Sequence, residues 1–366
     1  MRLESTAPNI ASIAFQIQAK DKANNFNLIR LLMAFLVILA HSPQMIDGNA
    51  NREPLRYIFG TLTFGQFAVD IFFLLSGYLI LQSWEARPEI LPFLKKRILR
   101  IYPAFIIAAF FSVFVFGALA TPFPAEYLSQ ISIFQFSTDL LTLKMPKSPP
   151  TFVGSFYPTV NGSMWTIRYE FFCYLSIVLL GLLKVFDRKK LLIVVLIIFT
   201  CCSTAKNLGY LQLLGIPSDE TTFPMFRFSS FFVAGNLFCL YRKNIRLEKR
   251  YASVAGLGLV LGLNFQVFAE ISVVVFGSYL MFFLAFKNTN ATAWINKLPD
   301  ASYGFYLYGW PVAKLLIWKF PSINLYVLVT FTTVLAYFLG ILSWYLVEQP
   351  ALKLKNVKSK VPVATV

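Results

Sequence analysis

The chain has 366 residues, of which 57% are hydrophobic, 17% are aromatic and only 14% are charged. A soluble domain carries nearer a quarter charged residues, so this balance argues against a soluble protein and predicts an integral membrane protein. The net charge of +16 at pH 7 would suggest nucleic-acid binding in a soluble protein. In a membrane protein, positive residues are instead expected to mark the loops on one side of the bilayer, so we predict no nucleic-acid partner.

The residue types that usually bind metals are scarce or badly spaced. His41 is the single histidine, which excludes a site built from several histidines. The four cysteines lie in apolar runs without the spacing of metal ligands, and they are typical of small core residues. We therefore predict no metal site and no disulfide framework.

Apolar runs near the length that a helix needs to cross a bilayer recur along the chain. They predict an all-α helix bundle with about ten transmembrane helices. The predicted spans are 29–46, 66–83, 101–120, 165–184, 190–206, 223–240, 251–267, 270–286, 302–319 and 325–347. We divide the chain into a leader (1–28), a transmembrane domain (29–352) and a basic cytoplasmic tail (353–366).

The positive residues fix the expected orientation. If the N-terminus is cytoplasmic, the inner segments hold 24 of the 33 lysines and arginines. The positive-inside rule then places both termini in the cytoplasm and the long 121–164 loop outside, in the periplasm. The leader is either a short helix on the membrane surface or disordered. A cleaved signal peptide is an alternative for the first span, and its removal would discard His41.

Arg30 and His41 stand in the first span, eleven residues apart. Eleven steps of 100° end about 20° past three full turns, so both side chains share one helix face, about 16 Å apart along the axis. Ionisable groups within a span usually face a cavity or a partner. The functional alternative is a reactive pair, and the structural one is that His41 hydrogen-bonds a neighbouring helix.

The second span contains VDIFFLLSGYLI, in which Asp70 is a carboxylate in an apolar run. It needs a partner, and we name Arg30 or His41 as candidates. Ser76 and Gly77 are small enough for close approach of another backbone or of a ligand, although ordinary helix packing explains them too.

The segment FLKKRILRIYP places Lys96, Arg97 and Arg100 at the inner end of the third span. This cluster follows the positive-inside pattern and also suits lipid headgroups. A sharper interpretation is a site for a cytoplasmic ligand with phosphates, because arginine forks match phosphate oxygens.

Three further segments carry polar groups at span ends. Glu170, in the fourth span, either orients a sugar hydroxyl or forms a structural ion pair. Tyr303, Tyr306 and Trp310 begin the ninth span and are expected to line a cavity. Glu348, at the inner end of the tenth span, is expected to pair with a basic residue of another inner segment.

Together these segments resemble the motifs of acyltransferase family 3, bacterial integral-membrane O-acyltransferases of surface glycans. Arg30 and His41 match the family's arginine–histidine spacing, and FFLLSG matches FF-x-x-SG. Arg97, Arg100 and Pro103 match R-x-x-R-x-x-P, and Trp165 with Glu170 matches W-x-x-x-x-E. SYGFYLYGWPV and VEQP resemble the ninth-span and closing motifs. Many members have a histidine where this chain has Gly309.

The resemblance implies an O-acetyltransferase of the bacterial inner membrane, with acetyl-CoA as co-substrate and no tightly bound cofactor. Its partners would be the lipid bilayer, the acyl-CoA and a polysaccharide acceptor. The expected catalytic residues are His41 as general base, Arg30, Asp70 and Glu170, and the expected donor-binding residues are Ser76, Lys96, Arg97 and Arg100. The alternatives are a transporter or flippase that uses a His/Arg/Asp proton relay, and a non-catalytic partner of a glycan assembly complex.

Overall fold

A computed structural model describes residues 24–210, 222–287 and 298–356. Most of the leader, with its expected surface helix, and the end of the basic tail lie outside these residues. The described residues are helical with turns and loops, and no strand occurs among them. The prediction of an all-α protein is therefore confirmed for this part of the chain.

The helices follow one another in chain order, and the longest connection that the structure describes in full is the segment 142–165 before α7. Their bounds are α1 Phe26–Asp47, α2 Pro54–Phe59, α3 Phe64–Ala86, α4 Ile90–Leu119, α5 Pro124–Ser129, α6 Ile133–Leu141, α7 Thr166–Leu182, α8 Lys189–Asn207, α9 Thr222–Leu240, α10 Lys249–Leu263, α11 Gln266–Phe286, α12 Ser302–Lys319 and α13 Leu325–Lys353.

Each of the ten predicted spans coincides with one of the longer helices. Six of these, α1, α3, α4, α8, α11 and α13, are long and apolar enough to cross a membrane within the described residues. The chain is thus a multi-pass membrane protein. The other four helices are shorter or more polar, so the count of ten spans and the side of each terminus stay predictions.

Local sequence signals explain where the first helices begin and end. Asn25 precedes α1, and its side-chain amide donates to the carbonyls of Leu284 and Lys287 at the end of α11, both within 2.8 Å. Gly48 ends α1 at a φ of +76°, a conformation that side chains disfavour. Thr63 begins α3 with a capping box. These contacts define the ends of the helices that carry His41 and Asp70.

Helix α12 lies at the centre of the bundle. Twelve of its 18 residues are buried, including Tyr306, Trp310 and Lys314. By contrast, α8 and α13 expose many large apolar side chains, as expected for helices that face lipid. The low hydropathy of α12 therefore reflects a position among other helices, where polar side chains find partners.

Helices α3 and α9 touch backbone to backbone. A methyl group added at Gly77 would lie 2.1 Å from the carbonyl oxygen of Phe232, and one added at Gly235 would lie 2.1 Å from that of Leu74. Only glycine permits this approach, because real Cβ contacts are far longer. Gly77, the small residue beside Ser76, thus serves helix packing.

The end of the long 121–164 loop packs inside the bundle. Asn161 is 2% exposed, and its amide donates to the Ser112 hydroxyl of α4 and to the Leu307 carbonyl of α12, both at 2.9 Å. Met164 is fully buried. This segment brings the start of α7 against the middle of α12.

Candidate functional site

A cavity of about 140 Å³ lies between α1, α3, α4, α7 and α12. We call it the arginine cavity. Apolar side chains form most of its wall, and its polar lining comes from Arg30, Ser76, Arg97, Arg100, Thr166, Glu170, Tyr174, Ser302, Tyr303 and Tyr306. Sites for small molecules typically combine an apolar wall with a few convergent polar groups.

Arg97 is the cation of this cavity without an acidic partner. Its Nη2 donates to the Ser83 hydroxyl at 3.3 Å, while its Nε is buried without a hydrogen-bond partner. The guanidinium lies 5.6 Å from the ring centroid of Phe93 and 5.8 Å from that of Tyr174. No ion pair of Arg97 occurs within the described ranges. A half-satisfied guanidinium at a cavity wall is suited to binding an anion.

Arg30 and Arg100 are instead held by carboxylates. Asp300 accepts from Nη2 of Arg100 at 2.8 Å and lies 3.4 Å from Nη2 of Arg30. Glu348 lies 3.3 Å from Nη1 of Arg100, as expected for its predicted structural pair with a basic residue. Burial alone would raise the pKa of Asp300, but Arg100 and Arg30 oppose this and hold that pKa well below its ordinary value.

Glu170 lies in the same cavity, where α7 faces α3. Its Oε1 accepts hydrogen bonds from the Ser76 hydroxyl at 2.9 Å and from the Tyr174 hydroxyl. The sequence allowed an ion pair for Glu170, but no ion pair of its carboxylate occurs in the described part of the chain. Ser76 and Glu170 are therefore joined by a hydrogen bond across the contact between α3 and α7.

His41 occupies a separate niche of about 10 Å³ between α1 and α12. The Trp310 ring meets the imidazole edge to face at 5.1 Å, and Trp310 Nε1 donates to the Thr159 carbonyl at 3.0 Å. The Gln44 amide donates to Nδ1 of His41. Gly309 also borders the niche.

The prediction that Asp70 pairs with Arg30 or His41 is wrong. Asp70 is fully buried and accepts two hydrogen bonds from Arg227 of α9, at 2.9 and 2.6 Å, rather than one from Arg30 or His41. The fork of an arginine satisfies both carboxylate oxygens, so no group of α1 is needed. Asp70 is not among the residues that line the arginine cavity.

The remaining predicted residues divide between the two voids. Tyr303 lines the arginine cavity and donates to the Ile101 carbonyl at 3.2 Å. Tyr306 lines both voids, and Trp310 lines the niche. Lys96 lines neither of them. The structure thus brings Arg30, Ser76, Arg97, Arg100 and Glu170 together, with His41 in the adjoining niche.

Sequence reasoning missed three residues of this arrangement. Gln44 follows His41 at helical spacing, a signal that was available in the sequence. Asp300 stands just before the tyrosine motif, but nothing in the pattern joins it to Arg30 or Arg100. Arg227 lies in an apolar run, where an isolated arginine does indicate a buried partner.

The chain is similar to known proteins over nearly its whole length. Residues 24–348 match the acyltransferase domain model of acyltransferase family 3. An O-acetyl transferase of Shigella phage Sf6 is 28% identical over 337 residues, 90% of this chain and 96% of that protein. Nodulation protein 10 of Rhizobium leguminosarum bv. viciae is 26% identical over 91% of this chain and 94% of its own length.

A third relative matches more locally. The acyltransferase MdmB of Streptomyces mycarofaciens is 29% identical over 149 residues, 40% of this chain and 36% of its own length. No solved structure matches the chain significantly. The family model runs from the start of α1 to Glu348 in α13 and so includes both the arginine cavity and the His41 niche. The chain belongs to acyltransferase family 3, and it is an acyltransferase embedded in the membrane.

Proposed function

We propose that this protein transfers an acetyl group from cytoplasmic acetyl-CoA to a hydroxyl of a cell-surface or exported polysaccharide, in the inner membrane of a bacterium. The observation that carries the proposal is the state of Arg97, a partly buried cation beside the cavity whose Nε is buried without a hydrogen-bond partner. The name of the phage relative, O-acetyl transferase, supports acetyl transfer to oxygen.

The donor would enter from the inner side, where the positive-inside pattern places Arg97 and Arg100. Coenzyme A is rich in phosphate, and an arginine fork binds phosphate oxygens in pairs. Arg97 is the stronger candidate ligand because Arg100 already serves Asp300 and Glu348. Lys96 is then left for the mouth of the site or for lipid headgroups.

The transfer itself needs a base near the acceptor hydroxyl. A neutral imidazole accepts a proton near neutral pH, and His41 is the group of this kind in the chain. The hydroxyl oxygen attacks the thioester carbonyl carbon, His41 takes the hydroxyl proton, and the carbon–sulfur bond breaks. His41 then returns the proton to the thiolate, which gives the O-acetyl ester and free coenzyme A.

Arg30 is suited to orienting the donor or stabilising negative charge that develops on the thioester oxygen, because it lines the cavity on the helix that also carries His41. Glu170 would hold Ser76 and Tyr174 in place along the wall of the cavity. Asp70 acts at a distance in this scheme, through α3 and its pair with Arg227.

The test is direct. Purified protein in lipid nanodiscs is given acetyl-labelled acetyl-CoA and polysaccharides of candidate hosts, and ester-linked label on the glycan is measured. His41→Ala should lower the rate by about 10²–10⁴-fold if His41 is the general base. Transfer at the wild-type rate by well-folded His41→Ala protein would overturn that role. Movement of glycan or protons without covalent label would indicate a transporter instead.

A further inference from the structure

The arginine cavity and the His41 niche have one lining residue in common. Tyr306 lines both voids, while the arginines line only the cavity and His41 lines only the niche. The niche holds about 10 Å³. A void of this size is at the lower limit for one water molecule, so it has no room for an acyl group as it stands.

Tyr306 is fixed in this position by hydrogen bonds. Its hydroxyl donates to the carbonyl of Ser163 at 2.8 Å and lies 2.8 Å from the hydroxyl of Thr166. Ser163 borders the niche and Thr166 borders the cavity, so the bonds cross the boundary between the two voids. The ring meets Phe72 of α3 edge to face at 5.8 Å.

This arrangement meets a chemical need of acyl transfer through a membrane. A thioester held in the cavity must come within bonding distance of a hydroxyl that His41 deprotonates, and the route between them passes Tyr306. Water that reached the same thioester beside His41 would hydrolyse it to acetate and coenzyme A. Excluding water from a reactive intermediate is a general task of closed active sites.

We propose that Tyr306 is a positioning residue that closes the donor cavity from the His41 niche and opens only when donor and acceptor are in place. In the closed state its bonds to Ser163 and Thr166 keep the thioester away from the base and from water. When the bonds release, the side chain rotates, and the two voids join into one site. The inference rests on the proposed acetyl transfer.

The experiment compares transfer with hydrolysis in the full-length protein. Tyr306→Ala removes the partition, Tyr306→Phe keeps the ring but removes its hydrogen bonds, and Thr166→Val removes one bond from the other side. Tyr308→Phe is the matched control, because Tyr308 is a buried tyrosine of the same helix that borders neither void. Labelled acetate and labelled glycan are measured from acetyl-labelled acetyl-CoA.

The ratio of hydrolysis to transfer should rise about tenfold or more in Tyr306→Ala, and by a smaller factor in Tyr306→Phe and Thr166→Val. It should stay at the wild-type value in Tyr308→Phe. An unchanged ratio in Tyr306→Ala, or in Tyr306→Phe and Thr166→Val if the alanine variant does not fold, overturns the role of Tyr306 alone. Absence of glycan label with the wild-type protein overturns the proposed function as well.

Discussion

The side-chain amide of Gln44 donates a hydrogen bond to Nδ1 of His41 from the next turn of α1. A neutral imidazole that accepts at Nδ1 carries its proton on Nε2, so neither nitrogen then offers a free lone pair to a substrate hydroxyl. Rotation of the amide by 180° would present its oxygen to Nδ1 and free Nε2. The Tyr157 hydroxyl, 3.5 Å from Gln44 Oε1, is the other polar contact of this amide. Gln44 thus controls which nitrogen of His41 can act.

Replacing Gln44 by leucine should therefore lower kcat for acetyl transfer by about 10–100-fold, less than the loss of His41 itself, with little change in KM for acetyl-CoA. Leucine keeps the side-chain volume but cannot hydrogen-bond to Nδ1, so neither tautomer of the imidazole is favoured. Steady-state kinetics with labelled donor measure both constants. Gln130→Leu, at an exposed position of the 121–164 loop, is the control. A change confined to KM would contradict the assignment.

Arg97→Met should raise KM for acetyl-CoA by about 10–100-fold, because a charged hydrogen bond contributes about 1.5–3 kcal/mol. Arg97→Lys should recover part of the loss, since an ammonium keeps the charge without the fork. Binding of labelled donor gives the same comparison without turnover. Arg87→Met, which removes an exposed arginine paired with Glu89, should leave KM unchanged. Equal effects of Arg87→Met and Arg97→Met would contradict a donor site at Arg97.

Asp300→Asn should lower the melting temperature at neutral pH, because Arg30 and Arg100 lose their shared carboxylate. The pKa of Asp300 is lowered in the folded protein, so its stabilisation is present above the ordinary aspartate pKa, about 3.9, and is lost as pH falls through the folded value. The difference between wild type and variant should therefore shrink only in strong acid. A difference that disappeared between pH 7 and pH 5 would contradict this pairing.

Asp70→Asn should destabilise the protein by about 3–5 kcal/mol, because Arg227 is left as a buried charge without its partner. The double variant Asp70→Asn with Arg227→Gln should be less destabilised than the sum of the two single variants. Melting temperatures of the four proteins in one detergent measure the coupling. Strict additivity would show that the two side chains do not interact in the membrane.

Hydropathy and charge predicted the positions of the helices because a membrane span needs about 20 apolar residues in succession, and this is a local property of the sequence. The first helix begins at Phe26, three residues before the predicted 29. The partners of buried charges could not be predicted in this way. Asp70 and Arg227 are 157 residues apart, and Arg100 and Asp300 are 200 apart, so no periodicity connects them. The motif residues were placed together by the fold, whereas the counter-charges Arg227 and Asp300 lie outside the motifs.

The burial of the end of the 121–164 loop could not be predicted from the sequence for a similar reason. Its prolines and polar residues indicated an irregular outer segment, and composition does not distinguish an irregular segment in water from one whose polar groups find partners between helices. Asn161 has such partners in Ser112 and the Leu307 carbonyl. Thr166 and Tyr306 meet because this segment reaches into the bundle.

The pair of Asp70 and Arg227 also bears on how the chain is made. Helix α3 leaves the ribosome long before α9, so its carboxylate must enter the membrane before its counter-charge exists. A lone aspartate at the centre of a span costs about 2.5–3.5 kcal/mol on insertion scales, and Asp70, in the first third of α3, carries a smaller cost of the same sign. Until α9 arrives and Gly77 meets the backbone at Phe232, α3 is therefore expected to stay near the insertion machinery or to carry a proton on Asp70. The order of synthesis makes the contact between these helices a late step of biogenesis, and a chain that ends before Arg227 should be recognised as incomplete.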